Sequence, residues 1–196
     1  MVRWDEMSGL FEEGFDENFA VSESTRRETR DSYLEMLKTW TSCVARGGKI
    51  LFFGNGGSAS QAQHFATELV VRYCRDRAAI PAISLVSDAS VLTACGNDLG
   101  FDQIFARQIE ALGQPGDLAF GISTSGRSPN VNAALQTSGG RGLLTAALTG
   151  GDGGEMAKIA DQVIIVPSYT TARIQEMHLI LGHLLCAGIE RALTLV

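Results

Sequence analysis

Five short apolar runs recur along the chain, each separated from the next by a stretch with helical spacing, and this alternation restricts the fold more than any single motif. The runs Ile50–Phe53, Ala82–Val86, Leu118–Ser123, Leu143–Leu148 and Val163–Val166 read as buried strands. Strands of this kind, joined by connections long enough to hold helices, predict a parallel sheet covered by helices on both faces. The connecting helices are expected over Ser58–Cys74, Asp88–Cys95, Asp102–Leu112, Ser128–Ser138, Gly154–Ala160 and Thr171–Leu195. Ahead of the first strand, Tyr33, Met36, Leu37, Trp40, Cys43 and Val44 fall at helical spacing. They predict one amphipathic helix over Ser22–Arg46, stopped by Gly47 and Gly48. The chain therefore reads as a single domain, residues 1–196, in which residues 1–46 form an N-terminal helical extension packed on the domain or on a neighbouring subunit.

At 196 residues, 45% of them hydrophobic, the chain can bury one core of ordinary size. A net charge of −6 without clustered Lys and Arg argues against nonspecific nucleic-acid binding and leaves small molecules and proteins as partners. Cys43, Cys74, Cys95 and Cys186 form no CxxC pair, which points to buried free thiols rather than a zinc knuckle or a disulfide framework. The N-terminus is studded with acids and no stretch reaches the roughly 20 apolar residues of a membrane span, so a cytoplasmic protein is expected.

In open α/β sheets ligands sit at the carboxyl ends of the strands, which directs attention to the turns 54–58 and 123–128. The first lies in ILFFGNGGSASQAQHFATEL and matches G-x-G-x-x-A, yet the acid that should end the second strand of a dinucleotide fold is missing. Glycines needed only for a tight turn would leave Asn55 and Ser58 unexplained; beside a helix N-terminus these two offer groups that orient a polyhydroxylic or anionic ligand. The second turn, in GISTSGRSPN, gathers Ser123, Thr124, Ser125 and Ser128. Only one of the four can cap the helix, and hydroxyls with helix-terminal N–H groups can surround a phosphate monoester without a lysine.

The three histidines lie in two helical segments. His64 and Glu68 are separated by about 40° and roughly 6 Å of rise, so both can face one cavity as metal ligands or as an acid/base pair; the same spacing also serves an ordinary surface pair. In TARIQEMHLILGHLLCAGIE, the polar residues Gln175, Glu176, His178 and His183 punctuate an apolar helix and need partners. Gln175 and His183 would stand about 12 Å apart on a continuous helix, near the limit for sharing one small ligand. Either Gln175 occupies an irregular first turn, or the two serve sites in different subunits. His178 reads as a hydrogen-bonded core histidine.

GNGGSAxxAQHFAxEL, GND, GISTSGxSxN, LTGxxGG and RIQExHxxxxH together resemble the sedoheptulose 7-phosphate (phosphoheptose) isomerases of the sugar isomerase (SIS) domain superfamily, from about Lys49 to the C-terminus. The resemblance implies an SIS-type, flavodoxin-like three-layer sandwich with a five-stranded parallel sheet, assembled as a homotetramer with active sites at subunit interfaces. It also implies conversion of a seven-carbon ketose phosphate into D-glycero-D-manno-heptose 7-phosphate. Carried over, Asn55, Gly56, Gly57, Ser58, Asn97 and Asp98 contact the sugar together with Glu68 and Gln175, while Ser123, Thr124, Ser125 and Ser128 hold the phosphate. His64, Glu68, Gln175 and His183 bind one zinc ion (Zn2+) per subunit, and Glu68 and His183 transfer protons. Two departures stand out: Gln61 and Ala172 occupy positions where relatives carry Asp. The rival reading is a catalytically silent SIS protein, either of the type that associates with the bacterial replication initiator or a sugar-phosphate sensor. The presence of both Glu68 and His183 favours the enzyme.

Overall fold

The computed structural model describes residues 3–194, apart from the side chains of Asp5, Glu6 and Thr194. Helices α1 (Trp4–Glu28) and α2 (Arg30–Ala45) precede β1 (Ile50–Gly54), α3 (Gly57–Val70), β2 (Ala82–Ser84) and α4 (Ala89–Asp98). A 3-10 turn (Phe101–Gln103) and α5 (Ala106–Leu112) lead to β3 (Leu118–Ile122), α6 (Pro129–Gly140), β4 (Leu144–Gly150), α7 (Met156–Ile159), β5 (Gln162–Val166) and α8 (Thr171–Thr194). The expected last residue of α8, Leu195, lies outside the described residues.

All strand pairs are parallel, in the order β2-β1-β3-β4-β5. Because side chains alternate across a strand, each strand feeds two cores. Ile50 and Phe52 of β1, with Phe120 of β3, pack under α2, α3 and α8, where Trp40 meets the rings of Phe52 and Phe120 edge-on. Leu51 and Phe53, with Ala119, face Ile109 of α5 and Leu135 of α6 on the other side. The five predicted strands and the covering helices are thus present, and the central strands β1 and β3 are fully buried.

The N-terminal helix differs from the single Ser22–Arg46 segment expected. It begins at Trp4 and breaks at Thr29, whose hydroxyl bonds back to the Thr25 carbonyl at 2.8 Å and whose backbone leaves the helical region. This elbow sends α1 across α8: Asn18 of α1 donates to Glu176 at 2.7 Å, and Arg173 of α8 donates to the Gly14 carbonyl of α1. Helix α3 stops at Val70 rather than running to Cys74, and the segment after it is held by Glu190 of α8 instead of by helical bonds. The expected Asp102–Leu112 helix is split into the 3-10 turn and α5. All four cysteines are free; three are buried as expected, whereas Cys74 is exposed. No helix among the described residues is long and apolar enough to cross a membrane.

Candidate active site

Strand order reverses between β1 and β3, which opens a crevice at their carboxyl ends. Both predicted turns border it. Asn55 follows β1 and exchanges two side-chain amide bonds, 2.8 and 2.9 Å, with Asn130 in the first turn of α6. Asn130 is buried and also accepts from the Val131 amide, so it locks the glycine turn to the serine turn. Sequence reading passed over Asn130; its place two residues after Ser128, beside a proline that starts a helix, was the available signal.

In the serine turn, Ser128 stands at the N-cap of α6 without capping it, and its hydroxyl instead lies 3.0 Å from that of Ser123. Ser125 accepts from the Arg127 amide at 3.2 Å, and the Thr124 carbonyl accepts from Gly150 at 3.1 Å. The hydroxyls therefore do not serve as mere helix caps; in the first turn of α6, Pro129 has no N–H, Val131 donates to Asn130 and Asn132 to the Ser128 carbonyl at 3.0 Å, so the hydroxyls themselves are the donors the turn offers an anion. Gly126, at φ 64°, makes the reversal; a Cβ there would stand 2.1 Å from the Gly153 carbonyl oxygen, so the loop after β4 backs the turn closely. A cleft of about 130 Å³ beside it is lined by Thr124, Ser125, Gly151, Asp152 and Tyr169. Arg127 points at Asp152 and forms an exposed ion pair.

Helices α3 and α8 run side by side in the same direction: Gly57 at the start of α3 abuts the Gln175 side chain, and Phe65 two turns later fills the space beside Gly182. This pairing carries His64 to His183, with Nε2 atoms 2.8 Å apart, and Glu68 comes within 3.4 Å of His64. One ligand atom from each of His64, Glu68 and His183 lies within 4.8 Å of the others. Two imidazoles facing through their Nε2 atoms, with a carboxylate beside them, make a donor set that suits zinc. The His64 side chain is 43% exposed and that of Glu68 20%, so in a single chain the triplet opens outward. Burial lowers the His183 pKa, helped by His64 and opposed by Glu68.

Gln175 is not part of this triplet in one chain. Helix α8 is regular from Thr171, so the irregular first turn that would have brought Gln175 to His183 is absent. Its side chain lies against Gly57, two turns from the His64–His183 contact, and its carbonyl accepts from Gln61 at 2.7 Å. The amide of Gln61 donates here; an ionised Asp has no hydrogen to give. Gly56 and Ser58 lie with Asn55 at the glycine turn, whereas Asn97 and Asp98 are exposed at the end of α4 and bond to each other at 2.7 Å. His178 is fully buried, as its place among apolar residues implied, with Nε2 3.1 Å from the Thr149 carbonyl.

An SIS domain model matches residues 15–150. The phosphoheptose isomerase of Paramagnetospirillum magneticum is 53% identical over 85% of this chain and 86% of its own length. The chain belongs to the phosphoheptose isomerase family. Solved structures of phosphoheptose isomerases agree in fold: that from Neisseria gonorrhoeae superposes with a TM-score of 0.90 at 38% identity, covering 94% of this chain and 99% of its own. The Francisella tularensis structure gives a TM-score of 0.89 at 36% identity, over 97% of this chain and all of its own. Family membership thus rests on sequence and fold together, and the SIS-type sandwich expected from the motifs is the one observed.

Proposed function

We propose that this member of the phosphoheptose isomerase family interconverts sedoheptulose 7-phosphate and D-glycero-D-manno-heptose 7-phosphate by proton transfer between Glu68 and His183. The observation that carries this reading is the convergence of Glu68, His64 and His183 from two separate helices in a chain of the phosphoheptose isomerase family. Ser123, Thr124, Ser125 and Ser128 hold the phosphate through their hydroxyls. Asn55, Gly56, Gly57 and Ser58, with Asn97 and Asp98, meet the hydroxyls of the sugar chain.

Glu68 takes the proton from C1 and returns it to C2, while a second proton leaves the C1 oxygen and one joins the C2 oxygen through His183, by way of an enediol. In the metal-free chain, burial of His183 favours its neutral imidazole, the form that can take up a proton or a metal ion. His64, Glu68 and His183 would hold zinc, with Gln175 of a neighbouring subunit as the fourth ligand, because one chain keeps its own Gln175 two turns away. Bound there, the ion would supply Lewis-acid polarisation of the carbonyl.

Assembly into a homotetramer accounts for an otherwise costly surface. Trp4, Leu10, Phe11, Phe15 and Phe19 are exposed along α1, with Ile180 and Leu184 on α8. The rings of Phe11, Phe15 and Phe19 form a ladder with centroids 4.9 and 6.1 Å apart. A cytoplasmic location fits a metabolite substrate of this kind. Incubating the purified protein with sedoheptulose 7-phosphate, with and without a chelator, tests the reading: heptose 7-phosphate should appear, and product in neither reaction rejects it.

A further inference from the structure

Arg77 and Glu190 form an ion pair that is almost wholly enclosed, their side chains 6% and 1% exposed, and neither belongs to the proposed reaction chemistry. Arg77 Nε reaches Glu190 at 3.1 Å. Its two terminal nitrogens turn the other way: Nη2 donates to the carbonyl of Glu68 and Nη1 to that of Leu69, both at 2.7 Å. These carbonyls end α3 and have no helical partner of their own, so the guanidinium caps the helix at the residue whose carboxylate faces His64.

Glu190, one end of the pair, sits on α8 two turns beyond His183. Its carboxylate accepts the backbone amides of Tyr73, Cys74 and Arg75 at 2.8, 3.0 and 3.1 Å. The Tyr73 so held lays its ring on His183, centroids 5.4 Å apart and planes within 25°. Burial alone would raise the Glu190 pKa, but these amides and Arg77 outweigh it, so the carboxylate stays ionised at neutral pH.

From these contacts we infer that Arg77, Glu190 and Tyr73 are positioning residues for isomerisation: one buried ion pair sets the backbone of Glu68 and, through the Tyr73 ring, the plane of His183. The inference rests on the assignment of Glu68 and His183 made above. Neither helix can shift along the other without breaking bonds at this clamp, which couples the two proton-transfer groups across the α3–α8 contact.

The test compares Arg77→Lys, Tyr73→Leu and Tyr73→Phe with the unaltered full chain, using sedoheptulose 7-phosphate turnover, zinc affinity of the metal-free protein against a chromophoric chelator, and thermal melting. Lysine retains the charge but gathers its donors on one nitrogen, whereas Arg77 reaches the carboxylate and the two carbonyls from three separate nitrogens of a planar fork. Arg77→Lys and Tyr73→Leu should lower kcat by about 10- to 100-fold with KM changed less than about threefold. Zinc affinity should fall by about 10-fold or more, and Tyr73→Phe, which keeps the ring, should stay within about twofold of the unaltered chain on both readouts.

Folded Arg77→Lys and Tyr73→Leu proteins with unchanged kcat and zinc affinity would overturn the clamp, as would equal losses in Tyr73→Phe and Tyr73→Leu. If Arg77→Lys does not fold, the two Tyr73 variants decide. Glu68→Gln is run alongside: full turnover in that variant faults the base assignment rather than the clamp, which the zinc readout then judges alone.

Discussion

His64 and His183, 119 residues apart in sequence, face each other through their Nε2 atoms at 2.8 Å. Neutral imidazoles at this distance share one hydrogen, and a cation in its place would engage both lone pairs. The metal-free protein should therefore take up one zinc per chain by calorimetry. His64→Ala or His183→Ala should abolish tight uptake, and a chelator should depress turnover.

Glu68 approaches that pair with its carboxylate 3.4 Å from His64. Replacement by Gln preserves shape and removes the base, so Glu68→Gln should cut kcat by about 10²- to 10⁴-fold with circular dichroism unchanged. His183→Ala should fall in the same range. Near-normal turnover in either variant would remove it from the proton-transfer pair.

Paired hydroxyls at Ser123 and Ser128, rather than a capped helix, leave the serine turn open to an anion. Ser123→Ala with Ser125→Ala should raise KM for the sugar phosphate and weaken inhibition by inorganic phosphate by about 10-fold or more, since each bond to a charged oxygen contributes roughly 1.5–3 kcal/mol. The effect on kcat should be much smaller. Equal phosphate inhibition in the double variant would contradict the cradle.

Burial pushes the His178 pKa down to about 4, against a weaker opposing bond to the Thr149 carbonyl. In the unfolded chain the same imidazole protonates near pH 6.5. Between these values the unfolded state binds the proton and the folded state does not, so stability falls as pH drops from about 6.5 to about 4, by at most about 3 kcal/mol from this residue. Urea unfolding at fixed protein concentration should show that slope, and His178→Leu should flatten it.

The phenylalanine ladder on α1 leaves Phe15 50% exposed. Phe15→Asp should shift the mass measured by light scattering from a tetramer to smaller species, with turnover falling in parallel if sites need a second subunit. A monomeric mass for the unaltered chain would dispose of the tetramer.

Much of this architecture is written locally. Buried runs such as Ile50–Phe53 and Leu118–Ser123 specify strands by composition, and the i,i+4 step from His64 to Glu68 puts both on one helix face whatever surrounds it. The glycine and serine turns follow from residues that the chain needs at strand ends. Helix boundaries were less legible where a distant partner decides them. Thr29 breaks the N-terminal helix so that α1 can cross α8, and α3 ends at Val70 because Glu190 takes the next amides.

Tertiary packing alone determined which of the polar residues on α8 meets His64 and Glu68. Gly182 lets Phe65 approach and so aligns His183 with His64, while the same parallel pairing leaves Gln175 against Gly57. Asn55 with Asn130, and Arg77 with Glu190, are likewise products of long-range closure. Periodicity gives the face a residue occupies on its own helix; the offset between two helices is set by side chains that interlock only after both have docked on the sheet.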